Sequence, residues 1–173
     1  MSKGVRLGLT VALAAAVIAA LAIFGFASSG SSKEGSQAPS LPSEHLAGAQ
    51  VTLSSLLKGA HGRPALVVFW ASWCEPCIRE APALERFSRS PDGHGRIVGV
   101  DWSDARSGAA AFVRRYGWTF PTLRDPNGTV GNEYEIANLP TTFVLDSSGR
   151  IRRTLHGPQT ETTLREALRA VEA

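Results

Sequence analysis

The sequence predicts an α/β domain in which helices flank a mixed central β-sheet, preceded by one apolar segment long enough to span a membrane. Three observations carry that reading. Residues 65–71 (ALVVFWA) and 96–102 (RIVGVDW) are apolar runs of strand length, as expected of strands buried on both faces, and a helical pattern separates them. Two further strand-like runs, 141–146 (TTFVLD) and 151–155, flank Ser147-Ser148-Gly149-Arg150, which reads as a hairpin turn. Near the N-terminus, residues 7–27 hold no charged side chain.

Those 21 residues would make a helix of roughly 31 Å, about the thickness of a bilayer's hydrocarbon core. Lys3 and Arg6 precede the run, and no basic residue follows until Lys33. The positive-inside rule therefore keeps residues 1–6 in the cytoplasm and exports the rest. The length favours an uncleaved signal anchor in the cell membrane. Gly25-Phe26-Ala27 is a weak small-residue site, so a cleaved and secreted form is the alternative. Residues 28–43 (SSGSSKEGSQAPSLPS) lack hydrophobic periodicity and read as a flexible linker. Residues 44–173 are left as the folded domain, a size that supports one core.

Composition narrows the function. With 43% apolar and 19% charged residues, the chain is not of the disordered, collagen-like or multi-span type. The net charge is +3, and no basic stripe with interleaved aromatics appears, so nucleic acid is not an expected partner. No extra apolar face suggests self-association, and a monomer is expected. Two cysteines are too few for a disulfide-stapled scaffold.

Within the domain, residues 51–59 read as a strand end and a short helical turn closed by Gly59. After the strand at 65–71, a helix should start at Cys74, with Ile78, Ala81, Leu84 and Phe87 on its inner face and Pro82 kinking it. The strand at 96–102 leads to a helix over 105–116, with Ala109, Phe112, Val113 and Tyr116 on one face and Gly117 at its end. Asp125-Pro126-Asn127-Gly128 is a turn, followed by a short helix over 129–134. After the hairpin, Thr160 can cap a last helix whose Leu164, Ala167, Leu168 and Val171 share a face. Strands joined by helices should be parallel and the hairpin antiparallel, hence a mixed sheet.

The chemistry sits in Trp73-Cys74-Glu75-Pro76-Cys77, where a buried strand gives way to a helix. Thiol exchange needs two sulfurs close enough to bridge and one available as a thiolate. At a helix start, the partial positive charge of the N-terminus stabilises the thiolate of Cys74. Cys77, one turn on, can attack the mixed disulfide that Cys74 forms. Pro76 is tolerated because first-turn N–H groups lack intrahelical partners. A zinc site would need about four ligands, and no second C-x-x-C exists. Trp73, beside the nucleophile, reads as lining a partner groove, whereas Phe69 reads as core. Glu80, three residues after Cys77, shares its helical face. It is either a solvated acid or, if buried, a proton carrier for Cys77. An anionic Glu75 beside Cys74 disfavours the thiolate and so favours a reducing pair. Leu139-Pro140 reads as a turn before a strand.

These motifs together resemble the thioredoxin superfamily, in particular its membrane-tethered, exported TlpA/ResA/CcmG-like branch of thiol–disulfide oxidoreductases. The resemblance is borne by FWASWCEPC (69–77), YGWTFPTLRDPNG (116–128) and LPTTFVLDSSGRI (139–151), and it covers about 50–173. It implies a thioredoxin-like fold with a cis peptide before Pro140, facing the cysteines, in a loop that pairs with the substrate chain. Leu139, Pro140 and Thr141 join Trp73, Glu75 and Pro76 as implied substrate contacts. Val68 stands where cytosolic thioredoxins carry a buried Asp, and the C-E-P-C-x-x-E pattern puts Glu80 forward as the substitute acid. The resemblance further implies reduction of the haem-site cysteines of apocytochrome c, with electrons from a membrane thiol carrier of the DsbD/CcdA type. No cofactor beyond the redox-active Cys74–Cys77 pair is implied.

Two other functions use the same cysteines. One is an exported oxidase that installs disulfides. The other is a copper-binding assembly factor, with His156 as the distant third ligand; its relatives use C-x-x-x-C, which this chain lacks. His45, His61 and His94 lie near expected turns and read as solvated. A peroxiredoxin reading is disfavoured, because no lone peroxidatic cysteine in a Pro/Thr-containing loop is found.

Overall fold

The apolar run at 65–71 becomes the centre of a six-stranded sheet with a core on each face. The computed structural model describes residues 33–172, which comprise in chain order β1 (Glu44–Ala47), α1 (Leu53–Gly59), β2 (Ala65–Trp70), α2 (Glu75–Arg89), β3 (Ile97–Trp102), α3 (Arg106–Tyr116), β4 (Thr122–Asp125), α4 (Thr129–Glu133), β5 (Thr141–Leu145), β6 (Ile151–His156) and α5 (Glu161–Glu172). The strand order is β1-β4-β3-β2-β5-β6. β2, β3 and β4 run parallel, while β5, β6 and β1 are each antiparallel to the neighbour they pair with. This is the mixed sheet of a thioredoxin-like fold.

Strand alternation distributes β2 between the two cores. Leu66, Val68 and Trp70 pack with Ala81 and Leu84 of α2, Phe112 of α3 and Leu164 and Leu168 of α5. Ala65, Val67 and Phe69 pack on the other face with Leu56 of α1, Tyr134 and Phe143. Trp70 is fully buried, its ring 4.6 Å from Phe112 and 4.8 Å from Trp118. Local signals set the helix ends. Thr52 and Ser55 form a reciprocal capping box on α1, and Gly117 closes α3 in the left-handed conformation. Thr160 caps α5, its Oγ1 accepting the Thr163 N–H.

Several expectations are corrected. The strand end expected near Val51 is absent, and α1 stands alone there, with Ala60 rather than Gly59 as its C-cap. Two strands were not expected. β4 is four residues long and reads TLRD, so its charges hide it from an apolar pattern; Arg124 is buried there only because it pairs with Asp101 and Glu44. β1 is recruited by β4, with Glu44 opposite Arg124. Ile78 does not face the core: it is 37% exposed, because Cys77, Ala81, Leu84 and Ser88 define the buried stripe of α2.

The linker expectation also changes. Residues 33–43 do not behave as a free tether. Gly35 and Ile151 exchange backbone bonds with this segment (Gly35 N–H to the Ile151 carbonyl, Ile151 N–H to that of Ser36), and Ala38 N–H donates to the Gly149 carbonyl. Lys33 pairs with Glu135, Tyr134 Oη donates to the Pro39 carbonyl, and Ala38 is buried. Backbone pairing along β6 does this, and Ser/Gly/Pro composition does not reveal it. A fragment begun at Glu44 should therefore be less stable than one begun at Lys33, by about 2 kcal/mol for the lost apolar burial and hydrogen bonds. Urea unfolding of both fragments measures the difference. The expected cytoplasmic N-terminus, the span at 7–27 and residues 28–32 lie outside the described residues. Among the described residues, no helix is long and apolar enough to cross a membrane.

Candidate active site

β2 delivers the chain to the site. It ends at Trp70, three residues form a loop, and Cys74 is the N-cap of α2, its own N–H donating to the Ala71 carbonyl at 3.2 Å. The Cys77 N–H points at Cys74 Sγ, 3.2 Å away. Cys74 and Cys77 are joined as a disulfide, with their Cα atoms 5.2 Å apart. Both sulfurs thus sit at the positive end of α2, where a developing thiolate is stabilised by free N–H groups and the helix dipole. In this oxidised state both cysteines are buried, Cys74 included, so its sulfur is sheltered rather than open.

Glu80 lies one turn beyond Cys77 and is 1% exposed. Its Oε1 accepts the backbone N–H of Gln159 at 2.9 Å, while Oε2 has no hydrogen-bond partner. Burial pushes its carboxyl up to about 8, against the smaller opposing pull of the Gln159 N–H. Of the two readings open to Glu80, the buried acid is the one the structure holds. A carboxyl in that range can hold or release a proton near neutral pH.

Glu75 and Trp73 stand outward. The Glu75 side chain is 84% exposed and pairs with Arg79 at 3.0 Å, so solvent and Arg79 screen its field at Cys74. Trp73 is 59% exposed, and its indole N–H donates to the Ser103 carbonyl at 3.3 Å. Pro76 is half-buried in the first turn of α2.

The opposite rim comes from β5. Leu139-Pro140 is a cis peptide. Thr141, the next residue, pairs with Phe69 of β2, which brings the Leu139-Pro140 turn beside the strand end from which the cysteine loop leaves. Pro140 is buried, and its carbonyl accepts the Gly157 N–H at 2.9 Å. Leu139 is half-buried against both cores. Thr141 is 2% exposed and donates through Oγ1 to the Asn138 carbonyl at 2.9 Å, so its side chain holds its own loop rather than facing outward. His156 is exposed at the end of β6, with Nδ1 3.4 Å from Thr141 Oγ1.

Sequence reading missed the charged frame beside the cysteine loop. Asp101 is fully buried at the end of β3, opposite Trp70, and accepts from Arg124 Nε at 3.2 Å. Burial first, and the negative charge of Asp104 second, push its carboxyl up to about 7. Arg124 also donates to Glu44 Oε1 and to the Asp104 carbonyl, both at 2.7 Å. The signal available was a single acid inside the apolar run RIVGVDW.

A thioredoxin-like sheet, a disulfide at a helix N-terminus and a cis-proline turn beside it define a thiol–disulfide oxidoreductase. The chain belongs to the AhpC/TSA family, whose model matches residues 35–154. Among its relatives, the thiol-disulfide oxidoreductase ResA of Bacillus subtilis is 30% identical over 148 residues, 85% of this chain and 80% of that protein. The thiol:disulfide interchange protein HelX of Rhodobacter capsulatus is 41% identical over 101 residues, 58% of this chain and 56% of that protein. The crystal structure of StoA from Bacillus subtilis superposes with a TM-score of 0.64 at 26% identity, covering 75% of this chain and 96% of that one.

Proposed function

We propose that this enzyme is a reductase of protein disulfides on the extracytoplasmic side of the cell membrane, held there by residues 7–27. In the proposed cycle the Cys74 thiolate attacks a substrate disulfide. One substrate sulfur leaves as a thiolate, and a mixed disulfide forms. Cys77 then attacks Cys74, restores the internal disulfide and releases the second substrate sulfur. Glu80, in the fraction of molecules where it is ionised, takes the Cys77 proton in that step. Trp73 and the Leu139-Pro140 turn flank the substrate chain, with Glu75 and Pro76 on the rim and the buried Thr141 holding the turn in place.

The observation that carries the direction is Glu80, buried one turn from Cys77 with one oxygen unpartnered. The burial that pushes this carboxyl up to about 8 also opposes a thiolate at Cys77, itself buried one turn away. Thiols that keep their protons favour the disulfide product, which is the thermodynamic condition for a reductant. Glu75, screened by Arg79, contributes less to that argument. The resemblance to the TlpA/ResA/CcmG-like branch supports the haem-site cysteines of apocytochrome c as substrate and a DsbD/CcdA-type carrier as electron source. Lys3 and Arg6 ahead of the apolar run support the extracytoplasmic placement.

The test is the equilibrium reduction potential of Cys74–Cys77, measured in thiol redox buffers on residues 33–173. A value near that of thioredoxin, about −270 mV, is expected. A value near about −120 mV, typical of strong oxidants, would replace this reading with disulfide installation.

A further inference from the structure

The groups that hold the cysteine loop in place are not on the loop. Ser72, two positions before Cys74, donates its backbone N–H to Asp104 Oδ2 at 2.6 Å. Trp73, the next residue, is tied through its indole to the Ser103 carbonyl. Ser103 lies in the left-handed region at φ 51°, which a residue with a side chain adopts only when its surroundings enforce it. Those surroundings are present. The Ser103 N–H donates to the Asp125 carbonyl at 3.0 Å, and Arg124 Nη2 donates to the Asp104 carbonyl at 2.7 Å. Arg124 is fixed in turn between Asp101 and Glu44, and Glu44 also binds Arg106 of α3.

Helix α3 leaves room for this contact. A Cβ added at Gly108 would lie 2.6 Å from Ser72 Oγ and 3.4 Å from Asp104 Oδ1. Glycine is disfavoured inside a helix, and here it stands where the cysteine loop passes closest. Two independent features, a short charge-assisted bond and a close approach, therefore converge on Ser72.

We propose that Asp104 is a positioning residue for the thiol chemistry: by clamping the Ser72 N–H it fixes Cys74 at the N-cap of α2, so that the Cys77 N–H faces the Cys74 sulfur. Asp104 makes and breaks no bond with substrate. Its effect is on how well the helix end stabilises the Cys74 thiolate. The inference rests on Cys74 being the attacking thiol and is independent of the direction of exchange.

The experiment measures alkylation of the reduced protein by iodoacetamide against pH, with the modified cysteine mapped by mass spectrometry. Asp104→Ala is expected to raise the pH midpoint of Cys74 alkylation by about one unit, slowing the reaction at pH 7 roughly tenfold. Asp104→Asn, which keeps one acceptor oxygen, should shift it less. Asp92→Ala, which removes an ion pair with Arg165 elsewhere, should leave it unchanged. The sign is decisive. If Asp104 acted only through its charge, removing the anion would lower the midpoint. A lowered or unchanged midpoint in a folded Asp104 variant overturns the proposal. If both Asp104 variants fail to fold, Gly108→Ala pushes on Ser72 from α3; a raised midpoint there supports the clamp and an unchanged one overturns it. Mapping the first-alkylated thiol to Cys77 instead would overturn the Cys74 assignment, an outcome separate from the Asp104 shift.

Discussion

Replacing Cys77 by Ser arrests exchange at the mixed disulfide. The reduced variant keeps Cys74 at the helix N-terminus, where its thiolate can attack a disulfide and expel one partner sulfur. The sulfur that would complete the cycle is the one whose Cα lies 5.2 Å from that of Cys74, and a serine hydroxyl cannot displace a disulfide. Release must then wait for an external thiol. Incubation of reduced Cys77→Ser protein with an oxidised C-x-x-C-H peptide should give one covalent adduct per protein on intact-mass analysis, cleaved by dithiothreitol. Catalytic turnover should fall to the rate set by the added thiol. Cys74→Ser should form no adduct. An adduct that forms through Cys77 in Cys74→Ser, with none in Cys77→Ser, would reverse the two roles.

Glu80→Gln is the second large effect, and it has a defined pH window. The carboxyl has an ordinary value of 4.5 and is pushed up to about 8 in the folded chain. Between those values the folded state holds a proton that the unfolded state has released, so stability falls as pH rises through this window. Below 4.5 both states are protonated and nothing is lost. Above 8 the folded protein carries the full cost of a buried anion, on the order of 5 kcal/mol. Gln keeps the acceptor for the Gln159 N–H and never ionises. Denaturant unfolding should therefore show similar stability for the variant and the parent at pH 4.5, and a more stable variant at pH 9, by a few kcal/mol. Activity should move the other way. Loss of the proton carrier beside Cys77 should slow exchange by about a hundredfold near pH 7 and flatten its pH profile. Parallel stability curves for the two proteins would show that Glu80 does not titrate in this window, and an unchanged exchange rate would remove it from the proton path.

Much of this site is local in the chain, and that part could be read from sequence. Cys74, Cys77 and Glu80 occupy one helical face at i, i+3 and i+6, so spacing alone brings them together. The run ALVVFWA announced a strand with two buried faces, and β2 is that strand. What stayed hidden depends on distant pairing. Ser72 meets Asp104 across 32 positions, a contact no local period encodes. β4 hides behind Arg124 and Asp125, whose charges are buried because partners on β1, β3 and α4 satisfy them. Residues 33–38 earn their order from the edge of β6, to which their own composition is indifferent. Ile78 was misplaced because an apolar side chain next to a reactive centre obeys the surface it presents rather than the core it could fill.

That surface is small. Among the described residues, Trp73 and Ile78 are the exposed large apolar side chains, one immediately before Cys74 and the other immediately after Cys77. Two such side chains provide only a few kcal/mol of contact energy, far short of a durable protein–protein interface. If these two side chains were the whole non-covalent contact, an encounter with the proposed substrate would be brief, and the mixed disulfide would set the residence time of the complex. On that reading, choice among competing disulfides would be exercised through rates of attack and release rather than through occupancy. An abundant wrong partner then does not block the enzyme by binding it; it competes only as fast as its own disulfide opens.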